Sequence, residues 1–531
     1  MLGYNPKSDS KEAWEWFSNL CTNTRQTQEI VLSEILKNAN KSEIAQKYNF
    51  NSIKNIEDFR KVVPMSEWSD YEEASMRMQE GEENILFNNK PEVFIMTSGT
   101  TGKSKMVPET KTSIFLKSVT DKIRQYFSMY PYPELKDGKI LPLGNSEKLG
   151  QTSAGIPFGT ASGITFANMS KDVAKKFAYP LEILQIEDSK IVDYLLMRFS
   201  IEEDVRFLVG NNLARMEKLS LVAKKFATQI CDDIEKGTIS KDIIIDNKIR
   251  NNLSKYLSPN PKRAKELRSL SNKDFLPKNY WPNFKVVCCW LSASVGLSVD
   301  SVKYLFPKDT IYLDYGYGAT EGKFNIPSHK GKSFGPLTIH SAFYEFSSID
   351  EPDKFLLADE LEVDKDYNMF ITNFSGFYRY NLKDIIRVKS YYYTAPEIEF
   401  VSKSGDIGNI CGEKLESSTI VITIEKIVEK FGFLLTHIEA YPNQNPPRYY
   451  FYIELKGDKK VDLEKLTKAI DLGLQNDLGY KHRRRDNLLL EPKIIIMPNG
   501  WVESIYNKKL EEGISRAQLK LPVIRKTPIK L

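Results

Sequence analysis

The loop Thr97-Ser98-Gly99-Thr100-Thr101-Gly102-Lys103-Ser104-Lys105 is the stretch that decides the fold. It follows EVFIM at 92–96, a short apolar run of the kind that forms a β-strand. The loop consists of hydroxyl side chains, glycines and lysines. Glycine lets backbone N–H groups approach an anion, hydroxyls donate to its oxygens, and lysine supplies the opposite charge. The sequence therefore predicts a loop that binds the phosphates of a nucleotide.

The end of this loop, Gly102-Lys103-Ser104, also matches the end of the P-loop pattern G-x-x-x-x-G-K-[ST] of kinases and GTPases. The first glycine of that pattern would fall at position 97, which is Thr97. The segment that follows also lacks an obvious apolar strand ending in an aspartate that could bind magnesium. The sequence thus favours a phosphate loop of another kind, with a polar turn between strands as the simpler alternative.

A second motif, Tyr315-Gly316-Tyr317-Gly318-Ala319-Thr320-Glu321-Gly322, follows the strand-like run TIYLD. The ring of Tyr317 can stack on adenine, the hydroxyl of Thr320 can bind a phosphate, and the carboxylate of Glu321 can bind Mg²⁺. Taken alone, the motif fits a glycine-rich hairpin turn equally well.

A third motif is Phe374-Ser375-Gly376-Phe377-Tyr378-Arg379-Tyr380-Asn381-Leu382-Lys383-Asp384, which leads into the strand-like run IIRV. An aspartate at such a position can accept both ribose hydroxyls, so Asp384 is the candidate ribose ligand. Arg379 is the candidate residue to face the α-phosphate. The alternative is a surface pair of Asp384 and Arg379 beside an edge strand.

The bulk composition excludes several other classes of protein. The chain has 531 residues, 41% of them hydrophobic and 11% aromatic, which predicts a folded protein of at least two domains. A net charge of +5 gives no basic footprint for nucleic acid, and no apolar run is long enough to span a membrane. The five cysteines and four histidines are scattered, without the spacing of a disulfide framework or a zinc site. We expect a soluble, cytoplasmic protein.

The order of helical and strand-like patterns divides the chain into a large and a small part. Residues 1–90 and 170–270 have apolar residues at helical spacing, and strand-like runs follow from residue 286 onward. A polar, glycine-containing segment at 403–416 is the predicted hinge. The expected domains are therefore 1–402, which contains the ATP and acyl sites, and 417–531, a small α+β lid.

Taken in this order, the three motifs resemble those of the adenylate-forming superfamily: a TSGTTGxxK loop, then YGxTE, then a YR…D element. Within that superfamily the chain resembles the GH3 family of acyl acid amido synthetases. Further similar stretches are GIPFGTAS at 155–162 and GISRAQLKLPV at 513–523, whose Lys520 corresponds to a mobile lysine of the family. Lys383 differs from the family pattern, because a glycine usually precedes the ribose-binding aspartate.

The resemblance implies an α/β fold with a large N-terminal adenylate-forming domain of mixed sheets and helices and a small, mobile α+β C-terminal domain. It implies a monomeric ligase that uses ATP and Mg²⁺ to activate a carboxylic acid as an acyl-adenylate. The acyl group then passes to an amino acid or another amine. An acyl-CoA synthetase and a non-catalytic nucleotide-binding protein are the alternatives.

The resemblance also assigns roles to individual residues. Lys520, Glu321 and Lys105 are the expected catalytic residues, and Glu321 is the expected metal ligand. The expected nucleotide-binding residues are Ser98, Gly99, Thr100, Thr101, Lys105, Tyr317, Thr320, Glu321, Arg379 and Asp384.

Overall fold

The structure is a computed structural model. It describes residues 3–96, 105–143, 150–161, 163–164, 171–210, 213–291, 299–349, 351–403, 407–413, 415–457, 461–511, 521–525 and 527–529.

The described residues begin with five helices, continue with mixed helices and strands, and form a run of strands from 311 to 416 before the last helices. The helices are α1 (Ser10–Cys21), α2 (Thr24–Ala39), α3 (Glu43–Lys47), α4 (Ile56–Val62), α5 (Glu72–Gln79), α6 (Lys111–Ser128), α7 (Lys171–Ala174), α8 (Ser189–Ser200), α9 (Ala214–Lys225), α10 (Ala227–Lys236), α11 (Asn247–Ser254), α12 (Pro261–Arg268), α13 (Pro277–Tyr280), α14 (Val299–Val302), α15 (Ser417–Phe431), α16 (Leu463–Leu474), α17 (Leu478–Arg485) and α18 (Trp501–Glu511). The strands are β1 (Val93–Met96), β2 (Met106–Glu109), β3 (Lys139–Pro142), β4 (Gly150–Gln151), β5 (Pro157–Gly159), β6 (Val205–Val209), β7 (Val286–Cys289), β8 (Ile311–Asp314), β9 (Gly318–Ala319), β10 (Gly322–Lys323), β11 (Gly335–Pro336), β12 (Ala342–Ser348), β13 (Phe355–Leu356), β14 (Asp366–Asn373), β15 (Tyr380–Tyr392), β16 (Ala395–Lys403), β17 (Ile407–Gly408), β18 (Leu415–Glu416), β19 (Leu434–Gln444), β20 (Pro447–Lys456) and β21 (Lys493–Ile496).

The sheet that carries the phosphate loop has the strand order β2-β1-β5-β4. β1 and β2 are antiparallel neighbours, and Met96 pairs with Met106 at their ends. The predicted loop therefore connects two paired strands, so both of its ends are fixed. α6 begins soon after β2, and the side chain of Thr110 caps it by accepting from the N–H of Ser113 (3.0 Å).

A second sheet, β3-β6-β7-β8, is parallel throughout and packs against the helices of the 189–306 region. The sequence predicted helical structure across 170–270, which is wrong for β6. The run VRFLV at 205–209 forms a strand that lies between β3 and β7. A short apolar run that is largely buried in a parallel sheet shows no alternation, so periodicity cannot distinguish it from part of a buried helix.

The third sheet has the order β11-β16-β15-β14-β12-β13 and is antiparallel. Its β15 contains an irregularity: Asn368 pairs with Ile385, but Phe370 pairs with Asn381. Leu382, Lys383 and Asp384 consequently stand opposite a single residue of β14. Bulges of this kind bend a strand and redirect its side chains, and here the redirected residues include the candidate ribose ligand.

The C-terminal part has its own core, built from residues between Leu415 and Ile524 around the sheet β19-β20-β21. Lys456, at the end of β20, forms an ion pair with Glu217 of α9 (2.6 Å) and so connects this part to the larger one. The division at 403–416 and the mobility of the small part stay predictions. Within the described residues, no helix combines the length and the apolar character needed to cross a membrane.

His340 provides a test of how the N-terminal helices are packed. Its ring lies against Trp16 and Phe17 of α1 and pairs with the hydroxyl of Thr120 in α6 (3.1 Å). Burial lowers the pKa of His340 to about 3. The unfolded chain, with an ordinary histidine pKa near 6.5, therefore binds more protons between pH 3 and 6.5, and the folded state loses stability as the pH falls through that range.

We predict that His340→Gln, which cannot titrate but keeps a polar partner for Thr120, reduces this loss. Between pH 6 and pH 5 the free energy of unfolding of the wild type should fall by about 1 kcal/mol more than that of the variant. Urea unfolding followed by tryptophan fluorescence at both pH values measures the difference. Equal losses in both proteins would contradict a buried, neutral His340.

Candidate nucleotide site

The three motifs meet at the side chain of Tyr380. Lys105, the last residue of the predicted phosphate loop, donates from Nζ to the hydroxyl of Tyr380 (3.2 Å). That hydroxyl donates to Oε1 of Glu321 (3.4 Å). The ammonium of Lys105 also lies 5.4 Å from the ring centroid of Trp68, within cation–π range. A lysine, a hydroxyl and a carboxylate from three distant segments thus form one connected group.

Burial sets the charge states in this group. Desolvation lowers the pKa of Lys105, while the nearby carboxylate of Glu321 opposes that shift. Desolvation, followed by the Glu321 charge, raises the pKa of Tyr380 above its ordinary value. Tyr380 therefore stays protonated at neutral pH and can act as the donor between the two charged residues.

Asp384 is held in a second, adjoining group. Its Oδ2 accepts a hydrogen bond from the hydroxyl of Tyr317 (2.5 Å), and its Oδ1 forms an ion pair with Lys403, which stands directly opposite it across β15 and β16. Burial disfavours the charge of Lys403, but the carboxylate of Asp384 outweighs burial and raises the pKa of Lys403. Asp384 is thus a buried, fixed carboxylate with a cation beside it.

The ring of Tyr317 lies in a different position from the one predicted, in which it would stack on adenine. It lies in the core between Phe324 and Phe400, with ring centroids 5.0 and 5.1 Å away, and the residue is only 8% exposed. Burial, followed by the charge of Asp384, raises the pKa of the Tyr317 hydroxyl well above its ordinary value. In this structure Tyr317 positions Asp384.

Arg379 also lies away from its predicted position facing a phosphate. Its guanidinium pairs with Glu345, with Nε to Oε2 at 2.9 Å and Nη2 to Oε1 at 3.1 Å, and donates to the carbonyl of Val63 (3.0 Å). Glu345 is 1% exposed, and a buried carboxylate needs such a partner. Arg379 does not pair with Asp384 either, and β15 is an interior strand, so the simpler alternative for the third motif is also not observed.

The second motif forms the short hairpin β9–β10, in which Gly322 pairs with Ala319 and the turn contains Thr320 and Glu321. Asn373 donates from Nδ2 to the backbone carbonyl of Glu321 (3.0 Å). The hairpin predicted as the simpler alternative is therefore present, and it carries the two candidate ligands at its tip.

Glu321 fits a hard cation by its chemistry. Among the described residues, the hydroxyl of Tyr380 is the one hydrogen-bond donor that reaches its carboxylate, which leaves oxygen lone pairs for a metal ion. No group of three or more His, Cys, Asp or Glu residues that could hold a metal occurs in the described ranges. A divalent ion at Glu321 would therefore need the phosphate oxygens of a nucleotide as further ligands, as Mg²⁺ usually does.

Two site residues were missed in the sequence. Asp314 ends β8 and accepts hydrogen bonds from the N–H groups of Leu291 (2.8 Å) and Gly316 (2.7 Å), and burial raises its pKa to about 6. Asn325, fully buried, accepts from the N–H of Tyr317 (2.8 Å). An aspartate at the carboxyl end of a parallel strand is a recognisable signal, whereas nothing local marks Asn325.

Five of the predicted residues lie outside the described residues: Ser98, Gly99, Thr100, Thr101 and Lys520. Their roles stay predictions. Of the others, the structure brings Lys105, Thr320, Glu321 and Asp384 into one region, with Tyr317 behind them and Arg379 in the core.

Three successive family models match the chain. They are the GH3 family N-terminal domain over residues 13–311, the GH3 family central domain over residues 335–403 and the GH3 family C-terminal domain over residues 424–529. The solved structure of the GH3.15 acyl acid amido synthetase superposes with a TM-score of 0.83 at 20% identity, and covers 99% of this chain and 95% of its own. The predicted mixed α/β fold is therefore confirmed as one shared with an acyl acid amido synthetase.

The chain belongs to the GH3 family. Among curated relatives, jasmonoyl-L-amino acid synthetase GH3.5 of Oryza sativa subsp. japonica is 24% identical over 95% of this chain and 93% of its own length. The 4-substituted benzoates-glutamate ligase GH3.12 of Arabidopsis thaliana is 23% identical over 97% of this chain and 96% of its own length.

Gly316 tests the packing that holds the second motif. Its φ of +96° disfavours an L side chain, and a Cβ built on it would lie 2.5 Å from the guanidinium carbon of Arg124. Gly331, with a φ of +71°, is the matched control, because nothing lies within 4 Å of its Cβ position.

We predict that Gly331→Ala costs about 1–2 kcal/mol from backbone strain alone. Gly316→Ala should cost about 1–3 kcal/mol more, because the added methyl group also displaces the Arg124 guanidinium from the carbonyls of Tyr317 and Asn325. Thermal unfolding of both variants measures the difference. Equal shifts of the midpoint would mean that Arg124 moves away at no cost.

Proposed function

We propose that this protein uses ATP to activate a carboxylic acid as an acyl-adenylate and then transfers the acyl group to an amine, namely an amino acid. The observation that carries the proposal is the convergence of Lys105, Glu321 and Asp384, three residues from separate motifs, around the hydroxyls of Tyr380 and Tyr317. Membership of the GH3 family supports the same chemistry, and so do the names of the relatives, a jasmonoyl-L-amino acid synthetase and a 4-substituted benzoates-glutamate ligase.

In the first half-reaction, the substrate carboxylate attacks the α-phosphorus of ATP and pyrophosphate leaves. The protein contributes alignment and charge neutralisation rather than covalent chemistry. Lys105 neutralises charge on the phosphates, together with the hydroxyls and N–H groups of Ser98, Gly99, Thr100 and Thr101. Its lowered pKa is consistent with a site in which little water competes for the ammonium.

Asp384 is assigned to the ribose hydroxyls, and Thr320 to a phosphate oxygen. Tyr317 holds one oxygen of Asp384 from the core side, so the carboxylate cannot rotate freely. A ribose hydroxyl would share or replace the contact with Lys403, and the protein therefore exchanges one polar partner for another when the nucleotide binds.

Glu321 is assigned to Mg²⁺, which when bound supplies positive charge between the phosphates. Tyr380 keeps Glu321 oriented by donating to one carboxylate oxygen. Arg379 is not part of this proposal, because Glu345 and two backbone carbonyls already take up its guanidinium.

The second half-reaction needs room for the amine. We assign the segment 403–416 to a hinge about which residues 417–531 rotate, and Lys520 to a lysine that this rotation brings to or removes from the phosphates. Lys403, the partner of Asp384, is the first residue of that segment, so the hinge starts at the ribose ligand. A cytoplasmic location and a monomeric state stay predictions.

The test is acid-dependent exchange of radiolabelled pyrophosphate into ATP, run with Mg²⁺ and a panel of aliphatic, benzoic and indole-type carboxylic acids. We predict that Lys105→Ala and Asp384→Ala each lower the exchange rate by about 10²–10³-fold with the acid that works best. Lys111→Ala is the matched control, because this lysine lies at the exposed start of α6, with 85% of its side chain accessible.

Exchange that survives unchanged in both variants would contradict the assigned site. Product analysis with amino acids and with coenzyme A, using the same acid, then separates amide formation from thioester formation. Absence of exchange with every acid, despite measurable ATP binding, would favour a binding protein.

A further inference from the structure

One face of α6 carries charged residues that the sequence motifs do not include. Lys117, Asp121 and Arg124 are spaced by four and three positions, so they lie on the same side of the helix. Each of them contacts the segment 317–325, which contains the hairpin β9–β10.

Lys117 contacts this segment at the turn between β9 and β10. Its Nζ donates to the backbone carbonyl of Thr320 (2.8 Å) and forms an ion pair with Glu109. That carbonyl belongs to the peptide bond that joins Thr320 to Glu321, so the contact restrains the orientation of both candidate ligands. Lys117, Glu321 and Asn373 also line one small internal cavity between α6 and the hairpin.

The two other charged residues hold the segment on either side of the tip. Asp121 pairs with Lys323, the residue that ends β10. Arg124 donates to the backbone carbonyls of Tyr317 (3.1 Å) and Asn325 (2.7 Å). Lys117 therefore acts on a hairpin whose two ends are already fixed to the same helix.

The other partner of Lys117 lies in the strand that returns from the phosphate loop. Glu109 ends β2, four positions after Lys105, and is 1% exposed. Lys117 thus bridges two elements of the candidate site, the strand that follows the phosphate loop and the turn that presents Glu321. A charge-assisted hydrogen bond is short and directional, which makes it suited to such positioning.

We propose that Lys117 is a positioning residue for Mg-ATP, which orients Glu321 by holding the Thr320 carbonyl and connects it to the phosphate-loop strand through Glu109. This inference rests on the proposed function, because it concerns the same nucleotide site. Lys117 acts through Glu321, so once the charge of Glu109 is also removed, loss of Lys117 should weaken the use of the metal ion more than the stability of the fold.

The experiment must avoid leaving Glu109 as a buried, unpaired charge, since that alone can cost several kcal/mol. We therefore use the pair Glu109→Gln and Glu109→Gln/Lys117→Met. The first removes the buried charge but keeps the lysine donor, and the second removes the donor as well. Lys117→Arg tests rescue by another cation that can donate, and Lys111→Met is the exposed control on the same helix.

We predict that Glu109→Gln/Lys117→Met lowers the pyrophosphate exchange rate, and raises the Mg²⁺ concentration for half-maximal exchange, by about tenfold relative to Glu109→Gln. Lys117→Arg should stay within about threefold of the wild type, because it can still donate to the carbonyl. Thermal unfolding establishes that the variants compared are folded. A folded double variant with the Mg²⁺ dependence of Glu109→Gln would overturn the proposal.

A double-mutant cycle with Glu321→Gln separates positioning from a general effect. If Lys117 acts through Glu321, adding Lys117→Met to Glu109→Gln/Glu321→Gln should change the exchange rate by less than about twofold. The full tenfold effect in that background would overturn the proposal.

Failure of the proposed function would be visible separately. In that case the wild type shows no exchange with any acid. Whether or not exchange occurs, the same variants are also compared by equilibrium dialysis of ATP at increasing Mg²⁺. A shifted Mg²⁺ dependence there supports the positioning role, and an unchanged one overturns it.

Discussion

Buried carboxylates that must each have a partner are the constraint on which the rest of this structure depends. Glu109, Glu345 and Asp384 are nearly inaccessible to water, at 1%, 1% and 2% exposure. Each is paired with a lysine or arginine of another segment: Glu109 with Lys117, Glu345 with Arg379, and Asp384 with Lys403. A buried charge without such a partner would cost several kcal/mol, so these pairs fix how the segments that carry them pack together.

This constraint explains why neighbouring residues of one motif have different tasks. Arg379 and Asp384 are five positions apart, yet the arginine pairs with Glu345 of β12 while the aspartate pairs with Lys403 of β16. The irregularity in β15 makes these different pairings possible. Three residues of β15 stand opposite a single residue of β14, and this redirects the side chain of Asp384. Lys383 lies within this irregularity with a φ of +55°. A left-handed conformation favours glycine, so Lys383 holds a backbone conformation that glycine would adopt with less strain.

The carboxylates of the candidate nucleotide site are therefore held by tyrosine hydroxyls that are themselves largely buried. Tyr380 and Tyr317 are both protonated because burial raises their pKa values, and each donates to one carboxylate, Glu321 and Asp384 respectively. Such fixed donors hold the two carboxylates close to one geometry, which is what the proposed alignment of reacting groups requires. Since Lys403 begins the predicted hinge, a rotation of the C-terminal part would start next to Asp384.

The sequence by itself determined the class of fold, the strand β1 before the predicted phosphate loop, the family and the residues that stand at the hairpin tip and at the start of IIRV. These follow from local patterns: glycine and hydroxyl clustering, apolar runs, and the order of three motifs along the chain. The tertiary structure alone decided that β6 is a strand and that the side chains of Tyr317 and Arg379 are buried in the core. It also decided that Lys117 donates a hydrogen bond to the Thr320 carbonyl. The reason is that each of these depends on a partner distant in the sequence, such as Phe400, Glu345 or the hairpin carbonyl, and local propensity carries no information about which distant groups burial will bring together.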